Sequence, residues 1–405
     1  MTAVMQGVRI LEVAEHTFVP AASALLADWG AEVIKIEHVE RGDAMRGLAS
    51  SGIAVMGKDV HVLLEHSNRG KKSLGLDLTS PDGLDVLYKL AATCDVFLTN
   101  KLPGVREKLA IDVEQIRAAN PDIIYVRGTG QGERGPDADK GSYDSLAYWC
   151  RAGVAMGQKR EDDEFPPPPP APAFGDSIGA MTIAGGIMGA LFHRERTGEA
   201  TVVDVSLLSV GIWSMGAALA LSLQLGMPWA PPPRDAPPGN PLVNTYKTSD
   251  GRFISLTCLQ PGRYWAEACE VLGIPEAAID PRFAEVADLM ENKVEATELV
   301  RQAFLSRTAD EWREHLGTFS GQWAMVQDTI EVVSDPQTVA NGYVSDCATS
   351  AGTPFQLATA PVQYDEQPAQ ALRAPEFNEH GDAILEELGL DWDTIVDLKV
   401  RGVVA

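Results

Sequence analysis

The chain has 405 residues, a formal net charge of −24, 45% hydrophobic residues and 22% charged residues. This composition is typical of a soluble globular protein, and the length is sufficient for two or three domains. The negative charge argues against a nucleic-acid partner and against adsorption to an anionic membrane, since both require a basic surface.

The cysteines and the N-terminus bear on the location of the protein. Five cysteines are scattered through the chain without a CxxC pair, which predicts reduced thiols and a cytoplasmic protein. The N-terminus shows no basic stretch followed by an apolar core, so no secretory signal is predicted. Residues 207–227 are long and apolar enough to span a bilayer. Their serines, their glutamine and the missing basic flank favour a helix buried in the core or in a subunit interface.

Strand and helix signals alternate from the N-terminus onward. The apolar, β-rich residues 8–14 are followed by a helical pattern over residues 20–30 and a second strand pattern over residues 32–37. This order predicts a βαβ unit and a parallel sheet. The alternation continues, which predicts a doubly wound α/β domain. Further strands are predicted at residues 73–78, 95–100 and 123–130, and helices from Ser80, Pro103 and Asp112.

The composition changes twice in the second half of the chain. Residues 160–172 are acidic and then contain five consecutive prolines, which predicts an extended surface loop. A second proline-rich stretch, residues 228–241, is predicted to be a linker. Residues 245–258 predict a hairpin with a Ser-Asp-Gly turn, and several helices follow. We therefore expect residues 228–334 to form a smaller α+β domain.

One carboxylate, Asp176, stands between the proline run and a long apolar segment rich in glycine and alanine. The segment predicts a helix packed closely against other backbone, with Asp176 at its start. An ordinary N-cap aspartate explains this position, because free N–H groups and the helix dipole stabilise an anion there. The alternative is a carboxylate kept ionised at neutral pH in a narrow apolar cleft, able to attack an acyl group. The position alone does not decide between them.

Two other patterns bear on ligands. Residues 130–135 match GxGxxG after a strand, but Pro136 and a polar run follow where a helix would have to begin. We therefore predict no nicotinamide or flavin site, and instead a glycine turn near a ligand. The seven histidines are dispersed, so no metal site is predicted. Basic residues cluster at residues 68–72, at Arg46 and at residues 101–108, in loops of one sheet, where a polyanionic ligand would fit.

Many stretches together carry a family resemblance. The chain resembles the family III CoA-transferases, which include formyl-CoA transferase, crotonobetainyl-CoA:carnitine CoA-transferase and, as a divergent branch, α-methylacyl-CoA racemase. The resemblance covers essentially the whole chain, and the combination is specific although no single motif is. The stretches include GVRILEVA, LLADWGAEVIKIEHVERGDAMRG, SNRGKKSLGLDL, LPGVREKLAID, GQGERGP, GSYDSLAYWCRAG, GDSIGAMTIAGGIMGALFHRERTGEATVVDVSLL, NTYKTSDGRFISL, SDPQTVANGYV and HGDAILEELG.

The resemblance implies an interlocked homodimer. It implies a large Rossmann-like domain formed by residues 1–227 and a returning segment, residues 335–405, with the smaller domain between them. It implies transfer of CoA from an acyl-CoA to a carboxylic acid through an aspartyl mixed anhydride and thioester. GDSIG matches the catalytic motif of the family and so makes Asp176 the nucleophile. The positions that match CoA contacts are Thr17, Phe18, His38, Arg46, Asn68, Arg69, Lys71, Asn100, Lys108, Lys140 and Tyr143.

The chain departs from the family pattern at several positions. Val19 precedes Pro20 where the family usually has glycine, and His38 and Lys108 stand where arginine is common, which removes a bidentate donor. The racemase branch has a His-Asp pair where this chain has Tyr143-Asp144. Two alternatives therefore stay open, a 2-methylacyl-CoA racemase and a catalytically silent CoA-binding protein. The acyl donor and the acid acceptor also stay open.

Overall fold

The computed structural model describes residues 2–47, 60–234 and 236–405, which separate into two compact units. The larger unit comprises Met1–Pro231 and Pro336–Ala405. Its sheet has six parallel strands in the order β3-β2-β1-β4-β5-β6, which confirms the predicted parallel α/β class. The strands are β1 (Arg9–Val13), β2 (Glu32–His38), β3 (Lys72–Leu76), β4 (Val96–Thr99), β5 (Ile124–Thr129) and β6 (Val202–Ser206).

The strand order locates the ligand crevice of the sheet. The direction in which strands are added reverses between β1 and β4, and ligands of such sheets bind outside the carboxyl ends of the strands at this point. The helices that follow the strands are α1 (Phe18–Asp28), α2 (Val62–Asn68), α3 (Pro81–Ala91), α4 (Pro103–Lys108), α5 (Val113–Ala119), α6 (Val154–Gln158), α7 (Phe174–Thr197), α8 (Leu207–Ser214) and α9 (Gly216–Leu225). A π-helix spans Ser145–Arg151 and a 3₁₀ turn spans Ala44–Gly47.

Helices α1 and α7 pack directly against each other over the sheet. A Cβ atom at Gly179 would lie 2.3 Å from Cε2 of Phe18, so only glycine permits this approach. Ala180, Ile183 and Ala184 of α7 are buried in the same core. The close backbone packing that the glycine and alanine pattern predicted is therefore confirmed, because small residues form the contact face of α7.

The apolar residues 207–227 do not form the single buried helix that we predicted. They break at Met215 into α8 and α9, whose axes are bent by 67°. No residue of α9 is buried in the chain. By length and composition, α7 is also apolar enough to cross a membrane, with 39% of its most apolar window buried. Core helices of soluble proteins share those properties, so length and composition are weak grounds for a span.

The smaller unit, Pro232–Asp335, contains a three-stranded antiparallel sheet and helices. Its first two strands form the predicted hairpin, and Gly251 takes the left-handed conformation in the turn with φ of 84°. The third strand was not predicted. The strands are β7 (Val243–Lys247), β8 (Phe253–Thr257) and β9 (Trp323–Met325), and the helices are α10 (Pro261–Leu272), α11 (Glu276–Ile279), α12 (Val286–Glu291), α13 (Lys293–Phe304), α14 (Ala309–Leu316) and α15 (Glu331–Ser334).

The C-terminal segment packs on the larger unit. The N–H of Asp77 donates to the Val403 carbonyl at 2.9 Å, and the N–H of Ala405 donates to the Gly75 carbonyl at 3.2 Å. The chain end therefore covers β3. The segment contains α16 (Pro336–Asn341), the unpredicted hairpin of β10 (Val344–Ala348) and β11 (Pro354–Ala358), α17 (Gly381–Glu387) and α18 (Trp392–Val400).

Candidate active site

A cavity of about 460 Å³, here called the switch-point cavity, lies at the carboxyl ends of β1, β4 and β5. A second cavity of about 220 Å³ lies beyond the ends of β2 and β3 and shares Glu15, Arg41, Lys101 and Val105 with the first. The switch-point cavity is lined by Glu15, His16, Phe18, Arg41, Asn100, Lys101, Leu102, Val105, Gly128, Thr129, Gly130, Gly141, Ser142, Tyr143, Asp176 and Leu207.

The turn between β1 and α1 forms one wall of the switch-point cavity. Asn100 holds it from both sides, because its Oδ1 accepts the N–H of Glu15 at 3.2 Å and its Nδ2 donates to the Glu15 carbonyl at 2.6 Å. His16 follows with φ of 68°, and its N–H donates to Oδ1 of Asp43 at 3.2 Å. These bonds fix the point at which α1 begins.

Asp176 is the third residue of α7 and is half-buried at the edge of the cavity. The residue at the N-cap is Ala173, with φ of 55° and no side-chain cap. The interpretation of Asp176 as an ordinary N-cap is therefore wrong. The carboxylate lies in the first turn, where the helix dipole still favours an anion.

Burial and, to a smaller extent, the negative charge of Asp144 together raise the pKa of Asp176 to about 7. We expected a carboxylate fully ionised at neutral pH, and that expectation is corrected: burial and a like charge outweigh the helix N-terminus. Asp176 therefore gains and loses its proton near neutrality, which is typical of groups at functional sites.

Asp144 immediately precedes the π-helix Ser145–Arg151. Its Oδ2 accepts the N–H of Gly175 at 3.2 Å, one residue before Asp176. Tyr148 packs on the same glycine, where a Cβ would lie 2.5 Å from the Tyr148 ring. Nε1 of Trp149 donates to the Pro167 carbonyl at 3.0 Å. The π-helix thus holds both the extended proline run, which we predicted as a loop, and the first turn of α7.

The structure places only some of the predicted CoA contacts in these cavities. Phe18, Asn100 and Tyr143 line the switch-point cavity with Asp176, and His38 lines the second cavity. The predicted residues that line neither cavity are Thr17, Arg46, Asn68, Arg69, Lys71, Lys108 and Lys140.

Lys71 and its neighbours belong to the interior. The Lys71 ammonium donates to Glu12 at 2.9 Å, to the Pro20 carbonyl at 2.8 Å and to Oδ1 of Asn68 at 3.1 Å. Burial lowers the pKa of Lys71 to about 7, against the charge of Glu12. Burial alone would raise the pKa of Glu12, but the ammonium groups of Lys35 and Lys71 hold it below its usual range. These side chains hold α1 and the sheet together, and a role for Asn68 and Lys71 as CoA contacts stays a prediction.

The remaining predicted cations and Thr17 also lie outside the cavities. Arg69 pairs with Asp28 at 2.8 Å in the interior and lines a separate apolar cavity beside α7. Arg46 forms two hydrogen bonds with Glu37, at 2.7 and 2.8 Å. Thr17 is buried, Lys108 is exposed, and Lys140 is exposed and pairs with Asp137.

The sequence interpretation missed three residues of the site: Glu15, His16 and Arg41. Lys101 forms an ion pair with Glu15, and Arg41 lies 3.8 Å from the same carboxylate. Lys101 stood in a predicted basic cluster, and His16 is adjacent to Thr17. Glu15 and His16 follow β1 and Lys101 follows β4, the two strands at the switch point, and strand order is not visible in one sequence.

The glycine motif at residues 130–135 leads into a loop. Strand β5 ends at Thr129 and the next helical segment begins at Ser145, so no helix N-terminus follows the motif, as predicted. Gly130 lines the cavity, whereas the N–H of Gly132 already donates to Thr129.

Among residues 2–47, 60–234 and 236–405, no group of three potential ligands from His, Cys, Asp and Glu could hold a metal ion.

Comparisons with known proteins agree with this architecture. Residues 5–381 match the model of CoA-transferase family III. The chain is 30% identical over 401 residues to (R)-2-hydroxy-4-methylpentanoate CoA-transferase of Clostridioides difficile, covering 99% of both chains. It is 28% identical to cinnamoyl-CoA:phenyllactate CoA-transferase of Clostridium sporogenes, covering 98% of this chain and 96% of that one. A crystal structure of a CAIB/BAIF family protein from Brucella suis superposes with a TM-score of 0.81 at 28% identity, over 96% of this chain and all of that one.

Proposed function

The chain belongs to CoA-transferase family III, and we propose that Asp176 is the nucleophile with which it moves CoA from an acyl-CoA thioester to a carboxylic acid. As a member of this family the protein is an acyl-CoA:carboxylate CoA-transferase. One observation carries the choice of nucleophile. Asp176 lines the switch-point cavity at the start of α7 and is half-buried there, whereas the other acidic lining residue, Glu15, is paired with Lys101.

In the proposed chemistry, the carboxylate of Asp176 acts first as a nucleophile and then as an acyl carrier. An oxygen of ionised Asp176 attacks the thioester carbonyl, the C–S bond breaks, and its electron pair leaves on sulfur as CoA thiolate. The thiolate then attacks the aspartyl carbonyl of the resulting mixed anhydride, which releases the donor carboxylate and leaves an aspartyl-CoA thioester. The acceptor carboxylate attacks that thioester, which releases CoA thiolate and forms a mixed anhydride of Asp176 and the acceptor. The thiolate then attacks the acyl carbonyl of the acceptor, which places CoA on the acceptor and returns Asp176 as a carboxylate.

The raised pKa of Asp176 suits this role. A carboxylate is a weak nucleophile in water, and partial burial removes some of the solvation that weakens it. A pKa of about 7 leaves about half of the side chain ionised at neutral pH, because the two forms are equally populated at the pKa. The negative charge of Asp144 keeps the carboxylate from being stabilised too strongly. Helix α1 begins at Phe18, which lines the same cavity, and we propose that free N–H groups of its first turn hold the oxyanion.

We place the anionic part of CoA between the two cavities. Arg41 and Lys101 line both cavities and supply positive charge for phosphates. Ile36, Leu76 and Leu109 give the second cavity an apolar wall against which a nucleobase can pack, with His38 at its edge. The pantetheine arm then runs past Asn100 and Phe18, and its thioester reaches Asp176 near Tyr143.

The substrates are proposed at the level of class. The names of two relatives each contain a 2-hydroxy acid, one with a branched side chain and one with an aromatic side chain. The switch-point cavity offers Phe18, Tyr143 and Leu207 as apolar contacts for such a group. We therefore propose an apolar monocarboxylic acid, with or without a 2-hydroxyl group, as acceptor.

The proposal includes the interlocked homodimer that the family resemblance implies. Helix α9 and its flanks expose large apolar side chains: Trp213 is 85% exposed, Leu223 76%, Leu225 67% and Met227 60%. A contiguous apolar surface of this kind marks an interface in soluble proteins. A second copy of the chain covers it in the proposed assembly.

A screen of thioester exchange tests the proposed function. Purified protein is incubated with acetyl-, succinyl- and cinnamoyl-CoA and a mixture of apolar, 2-hydroxy and dicarboxylic acids, and new thioesters are detected by mass spectrometry. We expect exchange by the wild-type protein and by E195Q, a control on the exposed end of α7, and none by D176A or D176N. Exchange by D176A near the wild-type rate contradicts the proposal. Deuterium uptake at the α-carbon of a 2-methylacyl-CoA without an acceptor would instead support a racemase, and CoA binding without either reaction a silent binding protein.

A further inference from the structure

We propose that His16 is a second catalytic residue, which donates an imidazole N–H to the CoA sulfur as the thiolate leaves and while it waits to attack again. This inference rests on the proposed function, because a thiolate forms only if the thioester is cleaved by a nucleophile. Neither the family motifs in the sequence nor the predicted CoA contacts include His16. It follows from where the structure puts the imidazole ring.

His16 lies in the wall of the switch-point cavity, the same cavity that Asp176 lines. Its ring is half-buried and stands edge-on to the Tyr143 ring, with the centroids 5.6 Å apart and the planes at 86°. Within the described residues, neither ring nitrogen of His16 has a hydrogen-bond partner. An imidazole in either neutral tautomer therefore presents an N–H that is available to a ligand.

Several other polar groups around the cavity are already engaged. Both polar atoms of the Asn100 side chain bond to the backbone of Glu15. Lys101 forms an ion pair with Glu15. The Ser142 hydroxyl accepts from Gln131 and donates to the Tyr143 carbonyl. Arg41 and the hydroxyls of Thr129 and Tyr143 are the other side-chain donors that line the cavity, and Arg41 and Tyr143 are both more than half exposed.

The backbone gives a second, independent reason. His16 has φ of 68°, in the left-handed region, where residues other than glycine are uncommon. The conformation is fixed from outside the turn, because Oδ1 of Asp43 accepts the His16 N–H at 3.2 Å. Asp43 is buried and held by the Lys35 ammonium at 2.7 Å and the Met45 N–H at 2.9 Å. A non-glycine residue in this uncommon conformation, held beside the cavity by a buried ionic network, indicates that its side chain is used.

The chemistry needs such a donor. When the Asp176 oxygen bonds to the thioester carbon, the electron pair of the C–S bond moves to sulfur, and a negative charge develops in a partly dry cavity. A hydrogen bond from His16 stabilises that charge without transferring the proton, so the sulfur remains a thiolate. The thiolate can then attack the aspartyl carbonyl with its own electron pair, and no proton has to be removed first. Lysine or arginine here would attract the carboxylate of Asp176 as well, whereas a neutral imidazole does not.

Two substitutions separate the ring from the backbone. Glycine fits the left-handed conformation, so H16G keeps the turn and removes the donor, and H16N keeps both the turn and an N–H donor. We expect H16G to lower kcat about 100-fold, the effect of removing one donor to a developing anion, with the KM for acyl-CoA within threefold of wild type. The kcat of H16N should be at least tenfold higher than that of H16G. H193N, the matched change at an exposed histidine of α7 outside both cavities, should retain kcat within about threefold.

The measurement is single-turnover release of thiol from acyl-CoA, with the Asp176 adduct followed by mass spectrometry and the fold by near-UV circular dichroism. H16G turning over within threefold of wild type overturns the inference, and so does H16N behaving no better than H16G. If H16G does not fold, H16N and H16D replace it as a pair of equal shape that differs in the donor, and equal rates for the two overturn it. Absence of an adduct in the wild-type protein contradicts the proposed function itself, and is thus distinct from failure at His16.

Discussion

Asp144 and Asp176 form a pair of like charges at the start of α7. Asp144 accepts a hydrogen bond from Gly175, the residue before Asp176, and its charge adds to the burial that raises the pKa of Asp176 to about 7. The same side chain therefore positions the first turn of the helix and weakens the acidity of its neighbour. This pair sets the pH range in which the proposed nucleophile is ionised.

The first prediction concerns the pH dependence of transfer. Only ionised Asp176 can attack, so kcat/KM should rise with pH through a midpoint of about 7. D144N removes the like charge but keeps an oxygen that accepts from Gly175, so the midpoint should move to lower pH. Because burial is the larger cause, the midpoint should stay above the ordinary Asp value of 3.8. The check is kcat/KM of both proteins between pH 5 and pH 9.

The control for this titration is D137N, since Asp137 lies outside the cavity and pairs with Lys140 and Arg151. Its profile should coincide with that of the wild-type protein. An unchanged midpoint in D144N would contradict the electrostatic coupling between the two carboxylates.

The second prediction concerns stability. The folded state raises the pKa of Asp176 from 3.8 to about 7, so it binds a proton more tightly than the unfolded chain does. Wild-type stability is therefore lost as pH rises from about 4 to about 7. D176N cannot ionise and should raise the free energy of unfolding at pH 8, by at most about 4 kcal/mol from 1.36 kcal/mol per pKa unit, less after solvent screening. The melting temperature at pH 8 and pH 4.5 measures it.

The gain of D176N should shrink toward pH 4.5 and be absent in E195Q, whose carboxylate is exposed on the same helix. Equal melting temperatures of D176N and wild type at pH 8 would show that Asp176 is not destabilised by burial.

The third prediction separates structural from ligand-binding lysines. K71M leaves Glu12 buried with one ammonium partner fewer, so it should lower the free energy of unfolding by about 3 kcal/mol, measured by urea denaturation. K101A removes a cation that lines both cavities, so it should raise the KM for acyl-CoA about tenfold and change stability little. The reverse pattern would return Lys71 to the ligand contacts.

The fourth prediction concerns assembly. A second copy of the chain is proposed to cover the apolar side chains of α9, so the wild-type protein should sediment at twice the chain mass of 43.5 kDa. L223D places a charge on that surface and should reduce the dimer fraction, whereas D393N on the distant, exposed start of α18 should not. A wild-type protein that sediments as a monomer would contradict the assembly.

The fold was predictable from the sequence where local signals were strong. Each strand of the parallel sheet carries an apolar run, and each following helix carries its own start signal, as at Ser80 before α3. The break at Met215 was not predicted, because residues 207–227 contain neither proline nor charge, and serine and glycine recur along the whole stretch. The third strand, β9, has three residues and gave no periodic signal.

The site was predictable in part and for a clear reason. Sequence motifs predicted Asp176 and Tyr143 as site residues. Whether a lysine is buried or lines a cavity depends instead on residues that are distant in sequence. Lys71 is buried because Glu12 of β1 lies opposite it, and Lys101 reaches a cavity because β4 lies beside β1. Motif matching found both lysines and could not tell them apart.

The most direct test of the account is the mass of the protein during turnover. Wild-type protein mixed with an acyl-CoA that it accepts, quenched in acid within milliseconds and digested, should yield a peptide containing Asp176 that carries the acyl group or CoA. Hydroxylamine should convert it to an aspartyl hydroxamate, and D176N should carry nothing. Turnover with an unmodified Asp176 peptide at every quench time, or an adduct on another residue, would contradict the account.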